Sequence, residues 1–192
     1  MPAGFVEETV ELAGVPVVLR RPPSADELID EAAFDEDEFL PYWAELWPSG
    51  VALAAAVAQL DLRGSRVLEL GAGLGLPSLA AALGGAEVLA TDWAADAVEL
   101  LRDNAARNGI VLRAEQVRWD APEPLLRGAP WDLVLGADLL YEARNAEQLE
   151  TLLPLLGAEA LLAEPGRPFA RGFLERLGAE EVADRLYRLR LP

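Results

Sequence analysis

From Arg66 onward, short apolar runs alternate with stretches whose apolar positions recur every three or four residues. The runs predict strands near 66–70, 87–91, 112–118, 131–137 and 159–163. The helical periodicity predicts helices near 75–83, 94–108, 145–156 and 168–177, with another from a Ser49 cap to about Leu60. Strand alternating with helix is the pattern of an α/β fold: a doubly wound, mostly parallel sheet with helices on both faces. Ahead of it, Phe5–Leu12 and Val15–Arg20 alternate around Ala13-Gly14, which reads as a β-hairpin ended by Arg21-Pro22-Pro23. Ser24-Ala25-Asp26-Glu27 has the spacing of a capping box and opens a short helix to about Ala33. After the last helix only Ala179–Pro192 remains. That tail holds either two short strands turned near Asp184-Arg185 or one strand alone, so a shortened C-terminal antiparallel region is expected. The 192 residues read as one domain, 1–192, with 1–48 as an N-terminal cap and 49–192 as the core.

The chemistry is concentrated where the first core strand ends. Val67-Leu68-Glu69-Leu70 runs into Gly71-Ala72-Gly73-Leu74-Gly75, and the next apolar run ends in Thr91-Asp92. A glycine-rich turn lets backbone approach a ligand closely, and an acid at the following strand end has the reach to take both hydroxyls of a ribose. This is one βαβ unit shaped for a nucleoside. A dinucleotide fingerprint, G-x-G-x-x-G, would put its third glycine at position 76, where Leu76 stands. The third glycine comes one residue early, and Glu69 precedes the turn. The G-x-G-x-G spacing resembles that of the class I S-adenosylmethionine-dependent methyltransferases, whose fold is Rossmann-like. The resemblance implies S-adenosylmethionine as cofactor, held by Gly71, Gly73 and Gly75, with Glu69 facing its ammonium and Asp92 its ribose.

Composition narrows the chemistry. The chain has no histidine and no cysteine, so the usual general base, thiolate nucleophiles, disulfides and the commonest metal ligands are missing, and no metal site is expected. Catalysis would rest on carboxylates, tyrosine, arginine, backbone groups and positioning. A formal charge of −17 argues against a nucleic-acid partner and favours a basic substrate or protein segment. All 16 basic residues are arginine, in keeping with the excess of Ala, Leu and Gly that GC-rich coding produces. No apolar run approaches a membrane span and the first residues carry no secretory pattern, so no membrane partner is expected and the cytoplasm is the expected compartment.

Two further strand ends extend the site. Trp119-Asp120 follows the third core strand, and Ala137-Asp138-Leu139-Leu140-Tyr141 follows the fourth. The Asp138-x-x-Tyr141 spacing resembles the [D/E]-x-x-[Y/F] motif of the seven-β-strand protein lysine methyltransferases. So does Trp47-Pro48 before the first core helix. Pro41-Tyr42-Trp43-Ala44 and Glu164-Pro165-Gly166-Arg167-Pro168 resemble the branch that contains the electron-transfer-flavoprotein β-subunit lysine methyltransferases and bacterial relatives. The resemblance spans roughly 40–178. It implies that Trp47 and Ala137 lie against the cofactor, that Trp93 covers an adenine face, and that Asp120 accepts from the adenine amino group with Trp119 packed on the ring. It further implies that Asp138 holds an incoming lysine amine and that Tyr141 walls the acceptor site, with Tyr42, Trp43 and Trp47 as an aromatic enclosure. The sequence leaves a small-molecule N- or O-methyltransferase, and a non-catalytic cofactor-binding module, as alternatives.

Overall fold

The computed structural model describes residues 4–25 and 41–191. Most of the expected helix to Ala33 and the acidic run Asp35–Glu38 lie outside the described residues. The hairpin forms as read: β1 (Val6–Leu12) pairs antiparallel with β2 (Val15–Arg21). Ala13 and Gly14, both at positive φ, make the tight turn that right-twisted hairpin strands require.

The core sheet has seven strands. They are β3 (Arg66–Leu70), β4 (Glu87–Asp92), β5 (Arg113–Gln116), β6 (Leu133–Ala137), β7 (Glu159–Ala163), β8 (Glu180–Ala183) and β9 (Leu186–Arg190). Their spatial order is β5-β4-β3-β6-β7-β9-β8. The strands from β5 to β7 are parallel, and β9 lies antiparallel between β7 and β8. The tail therefore makes both of the short strands that its length allowed, turning at Arg185 (φ 56°). Chain order reverses between β3 and β6, and Leu70 stands beside Gly136 there. A reversal of this kind opens a crevice beyond the carboxyl ends of the two strands.

The helices α1 (Pro48–Val57), α2 (Leu76–Leu83), α3 (Ala95–Arg107), α4 (Glu123–Gly128), α5 (Ala143–Leu156) and α6 (Ala170–Arg176) cover the sheet. Period-2 alternation divides the core between its faces. Val67, Leu133, Leu135 and Leu161 pack with Leu53, Val57, Leu76 and Leu79 from α1 and α2, and with Leu12, Val17 and Leu19 of the hairpin. Leu68, Leu70, Val134 and Leu162 pack with Leu149, Leu153 and Phe173 from α5 and α6 on the other face. The hairpin is also pinned by side-chain amides at the C-terminal end of α3. Asn108 donates to Val18 O and accepts from Val18 N, both at 2.8 Å. Asn104 does the same to Arg20 at 3.1 and 2.7 Å. No described helix is long and apolar enough to cross a membrane.

Four local expectations change. The strand placed at 112–118 shortens to β5, because its flanks leave the ladder for loops. Trp131 makes only an isolated bridge to Gly157, so β6 begins at Leu133. Helix α1 begins at Pro48, a position where the missing amide costs nothing, which puts Ser49 inside the helix instead of at its cap. Helix α4 was unexpected: prolines at 122 and 124 mask a six-residue turn whose Leu125 is fully buried.

Candidate active site

One cleft of about 410 Å³ opens at the switch point. That volume lies within the range of small-molecule and cofactor sites. Its walls come from the ends of β3, β4 and β6, the loop after β5, the N-terminal aromatic segment and the loop after β7. Every residue singled out from the sequence for cofactor or catalysis borders it: Trp47, Glu69, Gly71, Gly73, Gly75, Asp92, Trp93, Trp119, Asp120, Ala137, Asp138 and Tyr141.

The glycine turn is built by conformation and contact. Gly75 caps α2 at φ 80°, and a Cβ there would lie 2.5 Å from Leu101 Cγ of α3. Gly73, at φ 52°, would put a Cβ 3.2 Å from the carbonyl oxygen of Trp43, so the aromatic segment closes directly over the turn. Asp92 locks the turn to β4: one oxygen accepts from Gly73 N and the other from Ala94 N, each at 2.9 Å. Burial pushes the Asp92 carboxyl above the usual carboxylate range, against those two amides. Glu69 points from β3 toward α2, where Oε2 accepts from Ser78 N at 2.8 Å and from the Ser78 hydroxyl. Burial drives its carboxyl up to about 8, offset in part by the Ser78 donors. A carboxyl so desolvated ionises readily only when a cation comes beside it.

Farther along this side, Trp93 is half-buried and its carbonyl accepts from the Gln116 side chain at 2.9 Å. Trp119 packs on the core, with its ring near Gly71. Asp120 sits at the rim, half-exposed, with Arg118 forked on its carboxylate at 3.1 and 3.0 Å, which holds its carboxyl below the usual range.

The opposite side is made of side chains. Asp138 follows β6 at φ 54°, a left-handed conformation that aspartate tolerates better than most residues, and its amide donates to Ala163 O at 2.8 Å. Its nearly buried carboxylate takes a bidentate fork from Arg167, Nε to Oδ1 at 2.7 Å and Nη2 to Oδ2 at 2.8 Å. Arg167 stands on the loop after β7. Glu164 shapes that loop, its Oε1 accepting from Gly166 N at 2.9 Å and Arg167 N at 2.7 Å. Tyr141 packs edge-on to Tyr42, and Tyr42 to Trp47, with centroids 5.5 and 6.1 Å apart. The Trp47 indole donates to Tyr42 O at 2.8 Å. Burial raises the Tyr141 phenol, offset in part by the neighbouring Asn145 side chain, which donates to Leu139 O at 2.9 Å.

Sequence reasoning did not assign a role to Arg167, Glu164, Ser78 or Asn145. The quoted Glu164–Pro168 stretch carried one usable signal, an arginine between glycine and proline just past a strand end. Ser78 and Asn145 left none, since a polar residue in a helix marks no partner by itself.

A family model described as lysine methyltransferase matches residues 33–163. The electron transfer flavoprotein beta subunit lysine methyltransferase of Xenopus laevis is 35% identical over 135 residues, 66% of this chain and 53% of that protein. A histone-arginine methyltransferase of Xenopus laevis is 35% identical over 114 residues, 56% of this chain and 49% of that one. The chain thus spans about half the length of the curated relatives it matches. A T. thermophilus 16S rRNA methyltransferase, solved with AdoMet and guanosine, superposes with a TM-score of 0.72 at 19% identity, covering 100% of this chain and 52% of that one. The fold is that of the Rossmann-like methyltransferases, and by the match over residues 33–163 the chain belongs to the lysine methyltransferase family.

Proposed function

We propose that this chain transfers a methyl group from S-adenosylmethionine to the side-chain amine of a protein lysine. The observation that carries the reading is the meeting, in one cleft, of the Gly71–Gly75 turn and Asp92 with Asp138 and Tyr141. The residues fit the cofactor. The turn is a cradle that a Cβ at Gly75 would disturb, and Asp92 keeps lone pairs beyond its two amide bonds for ribose hydroxyls. Glu69 is a buried acid that a cofactor's ammonium would ionise. Trp93, Trp119 and Asp120 border the cleft and would meet the adenine, and Trp47 and Ala137, which also border it, would lie against the cofactor. When bound, S-adenosylmethionine supplies a methyl made electrophilic by its sulfonium.

The chain's own residues then have three tasks. The first is alignment, since holding an acceptor in line is the main source of rate in such a transfer. Tyr42, Tyr141 and Trp47 wall the approach, and aromatic faces hold an alkylammonium by about 0.5–2 kcal/mol. The second is exclusion of water by the same rings. The third concerns a proton: a lysine ammonium, of reference pKa about 10.4, has no lone pair until it loses one. That proton passes to water, and Asp138 accepts a hydrogen bond from the neutral acceptor nitrogen and orients its lone pair. The charge of −17 attracts a basic protein segment.

Arginine is the acceptor of one relative, but a guanidinium pairs best with two carboxylate oxygens together. Arg167 already faces both oxygens of Asp138, leaving an approach suited to a single amine. The test is tritium-labelled S-adenosylmethionine with purified protein and an extract of the source organism. Label released from protein as methyl-lysine on hydrolysis is expected. Label released as methylarginine, or found only in small molecules, overturns the reading.

A further inference from the structure

The Arg167–Asp138 pair crosses from one strand end to the next and faces the acceptor side of the cleft, which raises the question of what a cation does there. Asp138 is nearly buried, and both of its oxygens meet the Arg167 fork at hydrogen-bonding distance. Arg167 is held from behind. Glu164 Oε1 takes the amides of Gly166 and Arg167, and Gly166 turns at φ 99°. The guanidinium also stands 5.9 Å from the Trp47 ring centroid. Three segments distant in sequence thus fix one arginine against one aspartate.

A carboxylate alone beside an incoming lysine favours the ammonium over the amine, because an opposite charge stabilises the protonated form. The ammonium cannot attack. A carboxylate matched by a guanidinium still accepts a hydrogen bond but attracts a positive charge far less, and a nearby cation is an established means of freeing a lysine amine. We propose that Arg167 is a positioning residue acting through Asp138: it fixes the plane of the carboxylate and offsets its charge, so that the acceptor lysine is held as the free amine. The inference rests on the lysine reading above.

Among the described residues, the charged and titratable groups around the pair include Glu164 on the same loop, Tyr42 from the N-terminal segment, Tyr141, Glu142 and Arg144 after β6, and Arg185 and Tyr187 of the tail, which pack beside Gly166 and Glu164. Glu164 lies behind Arg167 and is held toward its neutral form by burial. Tyr141 is a phenol whose ionisation is disfavoured by burial. Arg167 is therefore the cation bonded directly to the acid that receives the amine.

The test is the pH profile of single-turnover methyl transfer with saturating S-adenosylmethionine and the labelled protein from the extract. It compares wild type, Arg167→Met and Arg167→Lys. Arg167→Met is expected to move the midpoint of the rising limb upward by about one to three pH units and to recover rate at high pH. Arg167→Lys keeps the charge and loses the fork, so its midpoint returns toward wild type while its plateau stays lower. A readout independent of turnover is the exchange of the Arg167 Nε–H, expected to be slow in wild type and fast in Asp138→Asn. If Arg167→Met folds and its rate falls equally at every pH, or if the Nε–H exchange ignores Asp138, the inference is overturned. If wild type makes no methyl-lysine at all, the lysine reading falls first and takes this inference with it.

Discussion

The two sides of the cleft are built by different means. On the β3–β4 side, the site is one contiguous βαβ unit, and the bonds that shape it involve main-chain amides: Gly73 and Ala94 on Asp92, and Ser78 on Glu69. On the β6–β7 side, the site is assembled from side chains of the N-terminal segment, the Asp138 turn and the Arg167 loop. Main-chain geometry is shared by any sequence that can make the turn, whereas side-chain pairs can be exchanged one at a time. A cofactor common to many enzymes belongs on the first kind of surface, and an acceptor that differs between them on the second.

This contrast can be broken at several points. The largest effect is expected from Asp138→Asn, which keeps a residue tolerant of positive φ and removes the charge. Methyl transfer should fall by about 100-fold in a single-turnover assay, as when a reacting group loses its alignment. Next is Gly75→Ala, which meets Leu101 and a left-handed backbone together. Overpacking costs about 1–3 kcal/mol and the backbone about 1–2 more, to be read by chemical denaturation. Asp92→Ala should weaken S-adenosylmethionine binding by about 1–3 kcal/mol in calorimetry, through ribose hydroxyls left without an acceptor. Asn108→Ala strands the Val18 backbone that it pairs. It should cost about 1–2 kcal/mol of stability and leave cofactor affinity unchanged, because Asn108 and Val18 do not border the cleft.

The contrast also carries a pH dependence of stability. Glu69 is held neutral in the folded chain up to about 8 and ionises near 4.5 once unfolded. The unfolded state therefore releases its proton first as pH rises. This contribution to stability is complete below about 4.5 and is lost as pH climbs toward 8. Asp92 and Glu164, also raised by burial, act in the same sense. Thermal unfolding of the ligand-free protein across that window should show the slope, and Glu69→Gln should flatten it. Bound cofactor, bringing an ammonium to Glu69, should flatten it too, with proton release on binding.

Much of this was legible in the sequence because the informative signals were local. The apolar runs placed all five parallel strands, and the glycine spacing with Asp92 marked the crevice, since both depend on neighbours within about twenty-five residues. The tail was readable only to an alternative, because four- and five-residue strands carry too little pattern to separate one strand from two. Helix α4 hid between prolines. The partner of Asp138 lies 29 residues away, and the Asn104 and Asn108 bonds to the hairpin span 84 and 90 residues. Bonds of that reach are decided by how helices and loops come to rest on the sheet, which no local spacing encodes. Hence local spacing led to residues that border one cleft, Asp138 and Tyr141 among them, but not to Arg167, which pairs with Asp138.

If the two sides act independently, calorimetric titration of S-adenosylmethionine into Asp138→Asn will show it. Affinity within about twofold of wild type, in a protein that no longer transfers methyl groups, is the predicted result. A loss as large as that of Asp92→Ala would make Asp138 a cofactor ligand and contradict the division.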